Sequence, residues 1–182
     1  MSARDAVLNR QSFPRVTSSA PTRAELLPLV EAAATVADHG RLHPWRLIEL
    51  RGADRERLGT ALAEARSLTG SAAEAQAAKP LRAPLLIAVV AVHQQSFKVA
   101  EWEQDAAAAG VAHTLSLLLD EAGWGVIWRT GPLTREGSVH GMHGLAANEK
   151  LLGWLYVGGK PDAEPPARTT HVDPAEFLTA LG

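Results

Sequence analysis

The chain reads as an α+β protein, with a central mixed or antiparallel sheet flanked by helices. Three observations predict this. The run at 85–92, Leu-Leu-Ile-Ala-Val-Val-Ala-Val, is continuously apolar and bounded by Pro84 and polar residues, which reads as a fully buried strand. The stretches 54–78 and 101–122 are rich in Ala, Leu and Glu and read as helices. Helices and strands follow one another without a regular βαβ rhythm, which disfavours a doubly wound parallel sheet.

From the N-terminus, residues 2–10 form a first helix that Ser2 caps, with Asp5 at the capping-box position. A polar loop at 12–21 leads to Thr22 and Glu25, a second capping box. Behind it, Leu26, Leu29, Val30 and Ala33 recur at helical spacing. Gly40 and Pro44 break the loop at 35–45, and 47–50 is a short strand. The helical stretch 54–78 is interrupted near Gly70 and ended by Pro80 and Pro84, while Gly123 ends the helix at 101–122. Residues 124–128 form a strand before the turn Thr130-Gly131-Pro132. The glycines in 138–145 leave that stretch unassigned, and 151–157 is another strand. After the proline-rich 158–172, Asp173-Pro174-Ala175-Glu176 opens a last short helix with an N-cap, Pro at the first helical position and a capping-box Glu.

The 182 residues suit one domain spanning 1–182, with no linker or internal repeat. A net charge of −2 gives no footprint for nucleic acid or a membrane surface. No segment approaches the ~20 apolar residues of a membrane span, and the N-terminus lacks a signal-peptide core. The absence of cysteine excludes disulfides, thiolate metal sites and a Cys nucleophile, and fits a cytoplasmic protein. The 5 Trp outnumber the 3 Phe and 1 Tyr together, so tryptophans serve either as core filler or as walls for a planar ligand.

Gly123-Trp124-Gly125 is not a dinucleotide fingerprint: the order is helix, glycines, strand, the reverse of what brings a helix N-terminus to a pyrophosphate. No P-loop occurs, and Ser12, Ser18 and Ser19 lie outside any nucleophile elbow. His39 and His43 have metal-ligand spacing, but Gly40 and Pro44 oppose the helix it requires; His140 and His143 read as polar loop histidines. Arg10, Ser12 and Arg15 either complement a helix dipole, which composition alone favours, or form an anion site. Trp128-Arg129-Thr130-Gly131-Pro132 either presents charge and N–H groups to a ligand or is an ordinary turn with a snorkelling Arg.

In order along some 150 residues, these pieces resemble the nitroreductase family and its short-chain members. The resemblance starts at Asn9-Arg10-Gln11-Ser12 and runs through Ala37-Asp38-His39, Pro44-Trp45, Arg82-Ala83-Pro84 and Trp102-Glu103-Gln104-Asp105. It ends on Gly123-x-Gly125-x-x-Trp128-Arg129-Thr130-Gly131 and Leu155-Tyr156-Val157-Gly158-x-x-Pro161.

The resemblance implies an interlocked homodimer with FMN at the interface and NAD(P)H as co-substrate. Carried over by position, Arg10, Gln11 and Ser12 contact the phosphate and ribityl end. Thr35, His39 and His43 come from the partner subunit. Trp128, Arg129 and Thr130 line the isoalloxazine, and Arg168 is a further phosphate contact. Residues 118–123 match a nicotinamide-cofactor segment, although Leu118 and Leu119 look like helix core. The implied cycle is ping-pong: NAD(P)H passes hydride to the flavin and leaves, and a nitroaromatic or quinone takes the electrons. It needs no protein nucleophile or general-base dyad.

The chain departs from the family pattern at Gln11, commonly basic, at Thr35, where close relatives carry Arg, and at Ala37, which replaces Pro. The first two remove positive charge near the expected phosphate. They motivate the alternative of a degenerate binding protein without turnover. A dehalogenase or flavin-fragmenting enzyme is the other alternative.

Overall fold

A computed structural model describes residues 2–162 and 172–181. Both capping boxes at the N-terminal end form. In α1 (Ala3–Asn9), Asp5 N–H donates to Ser2 Oγ at 3.2 Å and Ser2 N–H to the Asp5 carboxylate at 3.1 Å. In α2 (Arg23–Ala33), Glu25 N–H donates to Thr22 Oγ1 at 3.3 Å and Thr22 N–H to the Glu25 carboxylate at 2.7 Å. Strand β1 (Trp45–Leu50) comes next, then α3 (Ala53–Glu64), α4 (Gly70–Ala77), β2 (Leu85–Val92) and the long α5 (Glu101–Glu121). The chain continues with β3 (Trp124–Arg129), α6 (Gly137–His143) and β4 (Glu149–Gly159).

The helical stretch 54–78 splits because Ser67 and Gly70 turn the chain at positive φ, +51° and +55°. Most of the stretch 138–145 does form a helix, α6 (Gly137–His143), despite its glycines. Its Val139 is fully buried against Leu58 and Leu62 of α3, and that burial overrides a low intrinsic propensity. The helix ends where Gly144 turns left-handed. Asp173 does cap, accepting from Ala175 N–H at 3.0 Å, but the element it opens is only a 3-10 turn, Pro174–Glu176.

The sheet has order β1-β2-β4-β3 and every neighbouring pair is antiparallel, so the mixed alternative drops out. Strand β2 lies inside the sheet. Its Leu85, Ile87 and Val89 pack against α2 and α5, while Leu86, Ala88 and Val90 pack on the side of α3 and α6. Burial on both faces is why this strand reads as one apolar run. Among the described residues no helix is long and apolar enough to cross a membrane.

Strand β3 lies at the sheet edge, and the segment after α1 wraps around it. Phe13 N–H donates to Val126 O at 3.0 Å, outside the ladder, and Thr17 N–H donates to Gly159 O at 2.8 Å. Between these anchors the segment crosses the face shared by Gly125 and Gly158, a cross-strand pair. A Cβ on Gly158 would stand 2.6 Å from Val16 Cγ2 and 2.7 Å from Thr17 O. The Gly-x-Gly and Val-Gly-Gly motifs therefore have a packing role: they make room for the segment that carries Arg10 and Ser12 to the sheet.

Candidate functional site

An extended chain turns successive side chains to opposite sides. Arg10 and Ser12 accordingly line one cavity while Gln11 lines another. The first has a volume of about 230 Å³ and is completed by His113 and Ser116 of α5 and by Val126 and Trp128 of β3. No carboxylate lines it. Its chemistry is one guanidinium, two hydroxyls, one imidazole and the flank of an indole. Ser116 Oγ is already engaged, donating to Ala112 O at 2.7 Å. The Trp128 ring is held edge-on to His113, with centroids 5.0 Å apart and planes at 84°.

The seat of Trp128 depends on Gly153. There β4 slips register by one residue against β2, and φ is +143°. A Cβ at Gly153 would meet Arg129 O at 2.4 Å and Trp128 Nε1 at 2.9 Å.

The strand alternation that turns Trp128 toward α5 turns Arg129 the other way. Arg129 and Thr130 line a second hollow, with Arg66, Lys79 and Arg82, on the side of α3. The sequence-based grouping of Trp128, Arg129 and Thr130 along one ligand is thus split between two faces of the sheet at the level of side chains. Gln11 faces a third hollow, shared with Asp120 and Lys160, so its missing charge falls outside the cavity of Arg10 and Ser12.

Thr35, His39 and His43 do not reach that cavity within their own chain. Thr35 Oγ1 donates to Ala32 O at 2.8 Å. His39 Nδ1 pairs with Glu103 at 2.9 Å, and this hydrogen bond, with one from Ala100 N–H, holds the Glu103 carboxyl below the ordinary range. His43 is exposed in a left-handed turn, its N–H donating to Asp38 at 2.7 Å. Arg168 lies outside the described residues. Leu119 is fully buried and Leu118 packs against the same core, so their side chains are structural rather than ligand-facing. His113 and Ser116 escaped the sequence reading. Their only signal is a spacing of three within an Ala/Leu helix, which places two polar groups on one face.

The reading of His140 and His143 as loop histidines is corrected. Both sit on α6, and His143 is buried because it bridges the helix to the core. Its Nδ1 donates to Val139 O at 2.8 Å and its Nε2 accepts from Trp154 Nε1–H at 3.0 Å, which requires the neutral ring. Burial pushes its pKa below the ordinary imidazole value. The Val139 bond opposes this, and the charges of His140 and Arg46 add to it. The unfolded chain therefore takes up a proton near pH ~6.5 that the folded chain refuses, and stability falls as pH drops below that point. Denaturant unfolding at about pH 7.5 and about pH 5.5 measures the fall. His143→Gln is expected to lose part of it, and an equal fall in variant and parent assigns the effect elsewhere. Among the described residues no group of three or more His, Cys, Asp or Glu is placed to hold a metal ion.

A family model described as the nitroreductase family matches residues 7–159. The chain belongs to the nitroreductase family. An Escherichia coli (strain K12) relative named "Putative NAD(P)H nitroreductase YdjA" is 32% identical over 182 residues, covering 98% of this chain and 99% of that protein. Among solved nitroreductase structures, a nitroreductase-like family protein from Bacillus cereus superposes with a TM-score of 0.86 at 21% identity. That match covers 100% of this chain and 96% of the other. The FMN- and NADPH-dependent nitroreductase NfnB from Sphigopyxis sp. strain HMH superposes with a TM-score of 0.77 at 18% identity, covering 100% of both chains. At these identities the superpositions establish the nitroreductase fold.

Proposed function

We propose that this chain is an FMN-dependent oxidoreductase that takes electrons from NAD(P)H and passes them to a planar acceptor, a nitroaromatic or a quinone, in a ping-pong cycle. The observation that carries the reading is one cavity joining Arg10 and Ser12 to the indole of Trp128, in a chain of the nitroreductase family. Its donor set suits FMN: a guanidinium and a hydroxyl for a phosphate, and a flat apolar wall for a ring. Bound flavin supplies two-electron hydride chemistry. The chain's own residues bind and orient. Arg10 and Ser12 hold the phosphate end, and Val126 and Trp128 exclude water from one side of the ring.

At about 230 Å³ the cavity is smaller than the roughly 300–1,000 Å³ typical of small-molecule sites, so one chain supplies only part of the enclosure. A second copy completes it in a homodimer, with Thr35, His39 and His43 contributed across the interface. The reading without turnover rests on Gln11 and Thr35, and Gln11 lies on the far side of its segment from Arg10 and Ser12.

The test is the visible absorption spectrum of the purified protein with chromatography of any released chromophore, followed by NADH and NADPH oxidation with quinone and nitroaromatic acceptors. The expected result is a yellow protein that releases FMN near one per subunit, elutes as a dimer and oxidises a nicotinamide cofactor only when an acceptor is present. A colourless protein that also fails to bind added FMN overturns the reading.

A further inference from the structure

The loop before β1 is held in a conformation that it would not keep alone. Gly40, Arg41 and His43 all have left-handed backbone, with φ of +79°, +55° and +45°. For Arg41 and His43 this conformation costs free energy, and it persists only where the surroundings impose it. The supports come from the loop itself and from the N-terminal end of α5. Within the loop, the Asp38 carboxylate accepts from His43 N–H at 2.7 Å. From outside, Gln94 Nε2 donates to Leu42 O, and Gln104 of α5 fixes Gln94 in turn. Gln104 is buried; its Oε1 accepts from Gln94 N–H at 2.9 Å and its Nε2 donates to Gln94 O at 2.9 Å. The residue before it, Glu103, holds the side chain of His39.

Glu103 divides its carboxylate between two donors. Oε1 accepts from Ala100 N–H at 3.1 Å, which caps α5, and Oε2 lies 2.9 Å from His39 Nδ1. The bond with His39, and then that from Ala100, hold the Glu103 carboxyl below the ordinary range, so it has no proton to give. Nδ1 must therefore carry the hydrogen between them. The neutral His39 ring is thereby fixed as the Nδ1–H tautomer, and Nε2 is left as an acceptor. A free imidazole prefers the other tautomer. Glutamine at position 103 would reverse the choice. It has a single carbonyl oxygen; with that oxygen on Ala100 N–H, its NH2 group faces Nδ1 and the ring must carry its hydrogen on Nε2.

We propose that Glu103 is a positioning residue for the flavin site: by taking the Nδ1–H of His39, it makes Nε2 the nitrogen that His39 offers across the dimer interface, as an acceptor for a hydroxyl or N–H of the flavin. This rests on the reading that His39 meets the flavin from the partner subunit. Glu103 acts through the imidazole, and the held loop keeps that imidazole in place.

The test compares the parent with Glu103→Gln, His39→Gln and the double variant. Glutamine is itself a capping-box residue, so Glu103→Gln keeps the start of α5. Long-range proton–nitrogen NMR spectra of the full-length protein at about pH 8, where imidazoles are mostly neutral, read the tautomer. The His39 signals are identified by their absence in His39→Gln. The expected result is an Nδ1–H ring in the parent and an Nε2–H ring in Glu103→Gln. Titration with FMN, followed by flavin fluorescence, is expected to show roughly tenfold weaker binding in Glu103→Gln. The double variant is expected to bind no more weakly than His39→Gln alone, because Glu103 acts only through that ring. An Nε2–H ring in the parent, a tautomer unchanged in Glu103→Gln, or losses that add in the double variant each overturn the proposal and leave the flavin site standing. A parent that binds no FMN overturns the flavin reading, and this role with it, whatever the tautomer.

Discussion

Gly158→Ala is expected to be among the most destabilising single-methyl additions in the protein. The new Cβ would lie 2.6 Å from Val16 Cγ2 and 2.7 Å from Thr17 O, and the second of these is backbone. It cannot swing away without stretching the Thr17 N–H bond to Gly159 O. Overpacking of this kind costs about 1–3 kcal/mol, and the backbone clash places this site toward the upper end. Urea unfolding measures the loss. The same change is expected to reduce FMN retention, because the displaced segment comes directly after Arg10 and Ser12. Gly141→Ala in α6 is the control: its Cβ meets open space within 4 Å, and the change is expected to gain about 0.5–1 kcal/mol from helix propensity. A Gly158→Ala protein as stable as the parent would show that the wrapping segment yields freely and is not what seats Arg10.

Arg10→Ala is expected to weaken FMN binding by roughly ten- to a hundredfold, the effect of losing a hydrogen bond to a charged group. Titration of the apoprotein with FMN, followed by flavin fluorescence, reads the affinity directly. Arg10→Lys restores charge without the planar fork and is expected to fall between the two. Unchanged affinity in Arg10→Ala removes Arg10 from the site. Arg129→Gln makes an informative comparison, because its side chain lies on the opposite face of β3 from Trp128. A comparable loss of FMN affinity in that variant would show that the flavin also reaches this face, as the resemblance implies for Arg129, and an unchanged affinity would confine the flavin to the face of Trp128.

The five tryptophans illustrate how far composition alone reaches. Core filling, one of the two roles that their abundance suggests, is seen in some of them, and the ligand wall is the role proposed for Trp128. Trp154 is buried and bonded to His143, Trp128 walls the candidate site, Trp45 and Trp124 pack at the edge of the core, and Trp102 is 71% exposed. Nothing local separates these fates, because each depends on what the rest of the chain brings to the indole.

The elements legible in the sequence are those whose causes are local. Ser2 with Asp5 and Thr22 with Glu25 form capping boxes from residues three apart, and the apolar run bounded by Pro84 is the strand Leu85–Val92. The ordered motifs that resemble the nitroreductase family were legible for the same reason, as short strings in register along one chain. The tertiary structure decided which side of each extended segment faces which cavity. A strand's side chains alternate in sequence, but only its neighbours determine the face on which a ligand site is built. Hence Arg10 and Ser12 part from Gln11, and Trp128 parts from Arg129. Hence also His113 and Ser116 join Arg10 across a hundred residues, and His143, on a stretch too glycine-rich to assign, becomes part of the core.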